Sequence, residues 1–394
     1  MPKRKLNNVT KRSDGRWMAR ETFGYNLDGS PNRKTFYGKT AEEAHKKMDT
    51  YSRQVENGLN VDAENITFAQ WLTLWMAEYK LNVLRPHTFD TYEDFVKNHI
   101  SPALGRHKLM KLRPEHLQTF INGLTRKDNE PMSSSGVKQI KTIMSGALSQ
   151  AVKNGLITRN PADALSLPKS RTKRKVGAFT QSEQMALLDQ LSDHRLYGLF
   201  VTALGTGARI GEILALRWME VDLVNNEMSV IRAVSRSKDR DVSTEGGKPK
   251  SSLKVSEPKT EAGNRTIPLT REIQNALVKH RDDQLTDRKN AGDAWTDNGL
   301  VFCTALGDLL EPRNVTRLYH KQRAIAGIPN LPFHSLRHTF ATNAITADMD
   351  YYYLSRIMGH ANISITLDTY ADYMPDKSRS EMGKLEGVLQ IKIV

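Results

Sequence analysis

The run Leu167-Pro168-Lys169-Ser170-Arg171-Thr172-Lys173-Arg174-Lys175 constrains this chain more than any other stretch. Five of its nine residues are basic and a proline leads it, which marks an extended linker rather than a packed helix or core strand. The linker separates two halves of different pattern. Before it, apolar residues recur at helical spacing. After it, helices mix with short β-branched runs. The chain must therefore fold as separate lobes, and its 394 residues suffice for two or three domains with at least one sizeable core. A basic linker between two lobes can lie along a polyanion such as a phosphate backbone, and the plain alternative is a solvated hinge.

Upstream of the linker, Phe68, Trp71, Leu72 and Trp75 share one helical stripe, as do Tyr92, Phe95 and Val96. Arg85-Pro86-His87-Thr88 introduces the second of these helices and Pro102-Ala103-Leu104-Gly105 ends it. Pro114 starts a third, through Leu117, Phe120, Ile121 and Leu124. A fourth carries Ile140, Ile143, Met144, Leu148 and Val152 on one face and Lys138, Lys141 and Lys153 on the other. The aromatic residues read as core, not as base-stacking platforms, because they lie on the apolar stripe.

The first fifty-odd residues read as a small sheet and a helix. Residues 15–22 alternate in part, 27–32 form a turn cluster, and 33–38 are the next strand. Thr40 then caps a helix from about Ala41 towards Val55. The strand positions carry Arg16, Arg20, Arg33 and Lys34, a set suited to a DNA groove or to plain solvation. The expected partition is 1–57, a linker at 58–65, an all-helical domain at 66–167, the basic linker at 168–178 and a mixed domain at 179–394. The fold class is mainly α with small β-sheets, α+β and multidomain.

The formal net charge of +14 calls for a polyanion partner. Nucleic acid comes first. A membrane surface comes second, but there is no long uncharged apolar run and no amphipathic anchor at either end. The start, Met1-Pro2-Lys3-Arg4-Lys5, lacks the apolar stretch of a signal peptide. Cys303 is the single cysteine, so an intrachain disulfide is impossible and a reducing, cytoplasmic setting is expected. No metal and no cofactor is expected. The sequence has no Walker-type glycine loop and no acidic cluster suited to magnesium ions.

Five boxes beyond the linker carry chemistry. Gly205-Thr206-Gly207-Ala208-Arg209-Ile210-Gly211-Glu212 sets an arginine at a helix start, where its planar fork can enter a cleft and bind two phosphate oxygens. Glu212, one turn on, can pin a neighbouring guanidinium or histidine, or form a surface pair. Lys259, beside a β-turn, can swing over a substrate and give a proton to a leaving alkoxide, or be an exposed hairpin lysine. His334 and Arg337 are three apart on one side of a helix. His360 follows Gly359, and Tyr370 stands ten residues later. Taken singly, each has a structural explanation. Taken together, two arginines, two histidines and a phenol suit the holding of a phosphodiester while a side-chain oxygen attacks it.

In order, the boxes are Thr-Gly-x-Arg-x-x-Glu at 206–212, Pro-Lys-Thr at 258–260, His-x-Leu-Arg-His-Thr-Phe-Ala at 334–341, Met-Gly-His at 358–360 and Thr-x-x-Thr-Tyr at 366–370. This series resembles the tyrosine recombinases, specifically the phage- and transposon-type integrases. The small N-terminal sheet is similar to their arm-binding domain, and residues 66 to about 165 look like their helical core-binding domain. The resemblance implies that Arg209 and Arg337 clamp the scissile phosphate, and that His334 and His360 supply hydrogen bonds and manage protons. It implies that Lys259 is the general acid to the departing 5′ oxygen, Glu212 orients the site and Tyr370 is the nucleophile. Rival lysines stand at 248, 250 and 254. The implied activity is site-specific integration and excision of a mobile element, phage or conjugative transposon, through a 3′-phosphotyrosyl link without ATP or metal. The implied partners are attachment-site DNA, a homotetramer on two duplexes and an excisionase or DNA-bending protein, with no membrane and a nucleoid-associated, cytoplasmic location. A type IB topoisomerase and a catalytically silent DNA-binding regulator on the same fold are the alternatives.

Overall fold

The computed structural model describes residues 8–25, 30–56, 65–126, 130–168, 177–240, 250–257 and 263–374, in two compact units, Met1–Thr172 and Lys173–Val394. The expected Lys259, the linker residues Lys169, Arg171, Lys173, Arg174 and Lys175, and the tail after residue 374 lie outside the described residues.

In the first unit, β1 (Val9–Lys11), β2 (Trp17–Tyr25) and β3 (Pro31–Gly38) form an antiparallel sheet in that order, with α1 (Ala41–Glu56) on one face. The Thr40 hydroxyl accepts from the Glu43 N–H while Glu43 accepts from the Lys39 N–H, so the first turn of α1 is capped from both sides. Ala19, Ala44 and Met48 are buried between sheet and helix. The strand β1 was not legible in the sequence. Pro31 and Asn32, read as turn, belong to β3, where an edge strand tolerates a proline at its first residue. Period two also divides the basic set. Arg20 pairs with Thr35 and Thr22 with Arg33, all on the open face, whereas Lys34, like Phe36, falls on the face that α1 covers. Lys34 therefore does not join Arg20 and Arg33. Arg16 precedes the strand and pairs with Asp14 at 2.9 Å.

The rest of this unit is helical. Thr67 and Gln70 form a capping box for α2 (Phe68–Trp75), which a π-turn extends. Then follow α3 (Pro86–Phe95), a π-turn at Val96–Ile100 and α4 (Ser101–Leu104) in one continuous run. The run ends at Leu104 with Gly105 as its cap, inside the box Pro102-Ala103-Leu104-Gly105, and Pro102 itself lies in helical backbone. Pro102 directly follows the π-turn, where the ladder of i→i−4 bonds is already interrupted. Next are α5 (Pro114–Asn122) and α6 (Ser134–Lys153). Phe68, Trp71, Leu72, Trp75, Ile140 and Met144 are all buried, and the Trp71 indole donates to the Ala147 carbonyl at 2.8 Å. Lys138 is exposed, but Lys141 is half-buried and donates to the Leu165 carbonyl. One of the two lysines offered for DNA is therefore engaged within the domain.

The second unit runs α7 (Gln181–Leu191), α8 (Tyr197–Thr206), α9 (Ile210–Ala215), β4 (Val221–Asp222), β5 (Glu227–Val230), β6 (Ala233–Lys238), β7 (Ser251–Ser256), β8 (Arg265–Pro268), α10 (Arg271–Ala291), α11 (Pro312–Ile325), α12 (Ser335–Thr346), α13 (Tyr351–Met358) and α14 (Ile363–Tyr370). Helix α8 is apolar all round and is the buried centre, packed by α10 and α12. The β-branched stretch at 228–235 divides between two strands. β5 joins the sheet β4-β5-β8, while β6 pairs with β7 in a separate ribbon. That ribbon takes in the polar Arg236, Ser237 and Lys238. The polar stretch hid the pairing because a two-stranded ribbon needs no alternating apolar face on its solvent side.

Candidate active site

Two helix ends build the site, and a left-handed glycine makes each of them. Gly207 ends α8 at φ 62° and Gly359 ends α13 at φ 65°. A side chain at 207 would also meet the Phe340 ring at 2.5 Å, so glycine is required there twice over. The Thr-Gly-x-Arg and Met-Gly-His boxes are therefore chain reversals. Each reversal leaves backbone carbonyls without a helical partner and sends a polar residue onwards.

Arg337, in the first turn of α12, uses both carbonyl sets. It donates to the Gly207 carbonyl at 2.8 Å and to the Met358 carbonyl at 2.6 Å. It also donates to His360 Nε2 at 2.9 Å. An arginine can only donate, so Nε2 accepts, and the neutral His360 ring carries its hydrogen on Nδ1, 2.7 Å from the Thr366 hydroxyl. Arg337 is 3% exposed, and among the described residues no carboxylate lies within ion-pair distance of it. Burial and the Arg209 charge push its pKa down to about 9. A buried guanidinium held by neutral acceptors keeps a cation in the site with no carboxylate bonded to it, an arrangement suited to an anion.

Arg209 stands at the start of α9. Glu212 accepts from its backbone N–H at 2.9 Å and from its guanidinium at 2.8 Å. Glu212 also accepts from Arg265 at 2.7 Å. Burial works against this carboxylate, yet the Arg265 and Arg209 bonds outweigh it and hold its pKa below the ordinary range. Arg265 spends a further N–H on the Ile357 carbonyl at 2.6 Å, one residue before the carbonyl that Arg337 holds. Glu212 thus neutralises the buried Arg265 and leaves Arg209, 42% exposed, facing outward.

The histidines complete the enclosure. Burial first, then Arg337 and Arg209, lower the His334 pKa. The same causes push His360 down to about 4. The His334 ring meets the His338 ring edge-on, centroids 4.8 Å apart, and His338 Nδ1 is 2.8 Å from the Tyr370 hydroxyl. Burial pushes the Tyr370 phenol up to about 12, with Arg337 opposing.

Arg209, Glu212, His334, Arg337, His360 and Tyr370 are thus brought together. Arg265 and His338 belong to the same network, and the sequence reading gave them no role. Both left a signal. Arg265 shares strand parity with the buried Ile267, which aims a cation inward. His338 is one helical turn beyond His334 on the same face.

Comparison with known proteins agrees on one family. Residues 178–376 match the phage integrase family, and residues 67–125 match the phage integrase N-terminal SAM-like domain. A tyrosine recombinase XerC-like protein of Caldanaerobacter subterraneus subsp. tengcongensis is 30% identical over 97% of this chain and 98% of its own length. The ICEBs1 integrase of Bacillus subtilis is 22% identical over 97% of this chain and 100% of its own. Among solved structures, the Tn1549 transposon integrase in complex with a circular intermediate DNA superposes with a TM-score of 0.65 at 22% identity, covering 82% of this chain and 100% of that one. A lambda integrase tetramer bound to a Holliday junction gives 0.57 at 16% identity, over 91% and 96%.

Proposed function

The chain belongs to the phage integrase family of tyrosine recombinases, a site-specific DNA recombinase of mobile elements, and we propose that Tyr370 is the nucleophile with which it cuts and rejoins its DNA. One observation carries this reading: a buried Arg337 without a carboxylate partner among the described residues, beside the outward-facing Arg209. A phosphodiester supplies the missing charge. Arg209 and Arg337 take its two non-bridging oxygens and stabilise the five-coordinate transition state.

As Tyr370 attacks, its phenol proton passes to His334 and its oxygen bonds to phosphorus in line with the departing 5′ oxygen. The P–O5′ bond breaks, and Lys259 gives the leaving alkoxide its proton. His334, neutral near pH 7, is free to take that proton, and His360, also neutral, accepts from Arg337 and holds that guanidinium without adding charge. The product is a 3′-phosphotyrosyl link that keeps the phosphodiester energy, so a second strand's 5′-hydroxyl reverses the step. Neither nucleotide hydrolysis nor a metal is needed for this balance.

The solvent-facing Arg20 and Arg33 of the small sheet, with Arg16 at its start, Lys138 of α6 and the basic linker, are the DNA contacts of this reading. The working form is a homotetramer on two duplexes, assisted by an excisionase or DNA-bending protein. Among the described residues no helix is long and apolar enough to cross a membrane, and a cytoplasmic, nucleoid-bound location fits the charge. The test pairs two variants on a nicked duplex. Tyr370→Phe binds DNA but forms no covalent adduct. Arg337→Ala lowers adduct formation about a hundredfold or more, as expected for a lost transition-state donor. Adduct formation by Tyr370→Phe at the wild-type level refutes the assignment.

A further inference from the structure

We propose that His338 is a positioning residue for the nucleophile: its Nδ1 accepts the hydrogen of the Tyr370 hydroxyl and stores the phenol, protonated and buried, until substrate DNA draws it out. The proposal rests on the reading of Tyr370 as the nucleophile.

Tyr370 is 1% exposed, and its hydroxyl lies 2.8 Å from His338 Nδ1. Its ring is seated among Ala341, Ala344, Leu354 and Met358. No phosphate can touch an oxygen enclosed in this way. The arrangement is therefore a resting one, and the hydroxyl must leave His338 before it can attack.

The fold shows how. Helix α14 has eight residues and buries only two side chains, Thr366 and Tyr370. Each is hydrogen-bonded to a histidine of the site, Thr366 to His360 and Tyr370 to His338. Ile363, Ile365 and Leu367 on the same helix are exposed. The segment bearing the nucleophile is thus docked at two points, each a histidine of the site.

The contact stores the phenol rather than activating it. Burial, His334 and Arg337 push His338 down to about 4, while burial pushes Tyr370 up to about 12. Moving the proton from phenol to imidazole in this position is uphill, because burial lowers the imidazole pKa and raises that of the phenol. His338 is therefore a neutral acceptor here, and the bond stabilises the unreactive form.

The test uses the full chain and a nicked duplex selected for covalent trapping by the wild type. In single-turnover reactions, His338→Ala and His338→Leu form the Tyr370 adduct about fivefold to tenfold faster than wild type, the factor one neutral hydrogen bond is worth. His338→Asn, whose side-chain oxygen sits where Nδ1 sits, returns the rate to that of wild type. A slower rate in the Ala and Leu variants overturns the proposal and assigns His338 to the forward step; an unchanged rate also overturns it. A second measurement needs no variant. Nitration of wild-type Tyr370 by tetranitromethane, read by peptide mass, is low in the free chain and rises when intact duplex is bound. Nitration that is already high without DNA, or that stays low with it, contradicts the storage role. If no duplex traps the wild type through Tyr370, the nucleophile assignment fails instead.

Discussion

Replacing Glu212 by glutamine tests how the site is held. Glu212 is 5% exposed and accepts three hydrogen bonds, two from Arg209 and one from Arg265, whose own side chain is 6% exposed. Glutamine keeps the volume but turns an NH2 group towards a guanidinium and leaves Arg265 a buried, unpaired cation. Breaking a buried ion pair from one side costs about 3–5 kcal/mol. For a folding unit of this size, about 2–4 °C of melting temperature is lost per kcal/mol, so the melting temperature falls by about 6–20 °C. Calorimetry of the full chain reads this directly. The same substitution frees the Arg209 backbone and side chain, so adduct formation at saturating DNA falls as well, by about tenfold or more. The acid side supplies a control. The folded pKa of Glu212 lies below its ordinary value of 4.5, so its contribution is fully present above that value and is lost as pH falls through the lower folded one. The wild type therefore loses this part of its stability in acid, and Glu212→Gln, which has already lost it, does not. A variant that melts within about 2 °C of wild type and cleaves normally refutes the reasoning.

Two further outcomes follow from the same geometry. Gly207→Ala puts a side chain at φ 62° and 2.5 Å from Phe340, so it destabilises the unit by about 2 kcal/mol or more and slows adduct formation by displacing Arg209; an alanine variant as stable as wild type in urea contradicts this. His338 and His360 both have folded pKa values lowered to about 4, so their contribution is complete above about pH 6.5 and is lost as the unfolded chain gains protons between pH 6.5 and 4; a His338→Asn, His360→Asn double variant shows a shallower fall in urea midpoint over that window, and an identical slope refutes it.

Much of this was legible in the sequence, for physical reasons. Trp71 and Trp75 advertised their helix because an apolar stripe has to repeat near 3.6 residues to reach a core. Gly207 and Gly359 stood beside polar residues because only glycine reverses a helix end so tightly. What stayed hidden depends on contacts distant in sequence. The partner that fixes Glu212 is Arg265, 53 residues away on another element, and no local pattern reports such a bond. His338 stood inside a recognised box, but its role depends on where Tyr370 packs, 32 residues on. The break between β5 and β6 and the sidedness of Lys34 required register, which short polar strands specify weakly.

The most direct test of the account is to map the covalent bond. The wild-type chain is trapped on a nicked duplex and digested, and the nucleotide-bearing peptide is sequenced by mass spectrometry. The account predicts a single 3′-phosphoryl group on Tyr370. An adduct on Tyr351, Tyr352, Tyr353 or Tyr373, or cleavage that leaves no protein attached to the 3′ end, would contradict it.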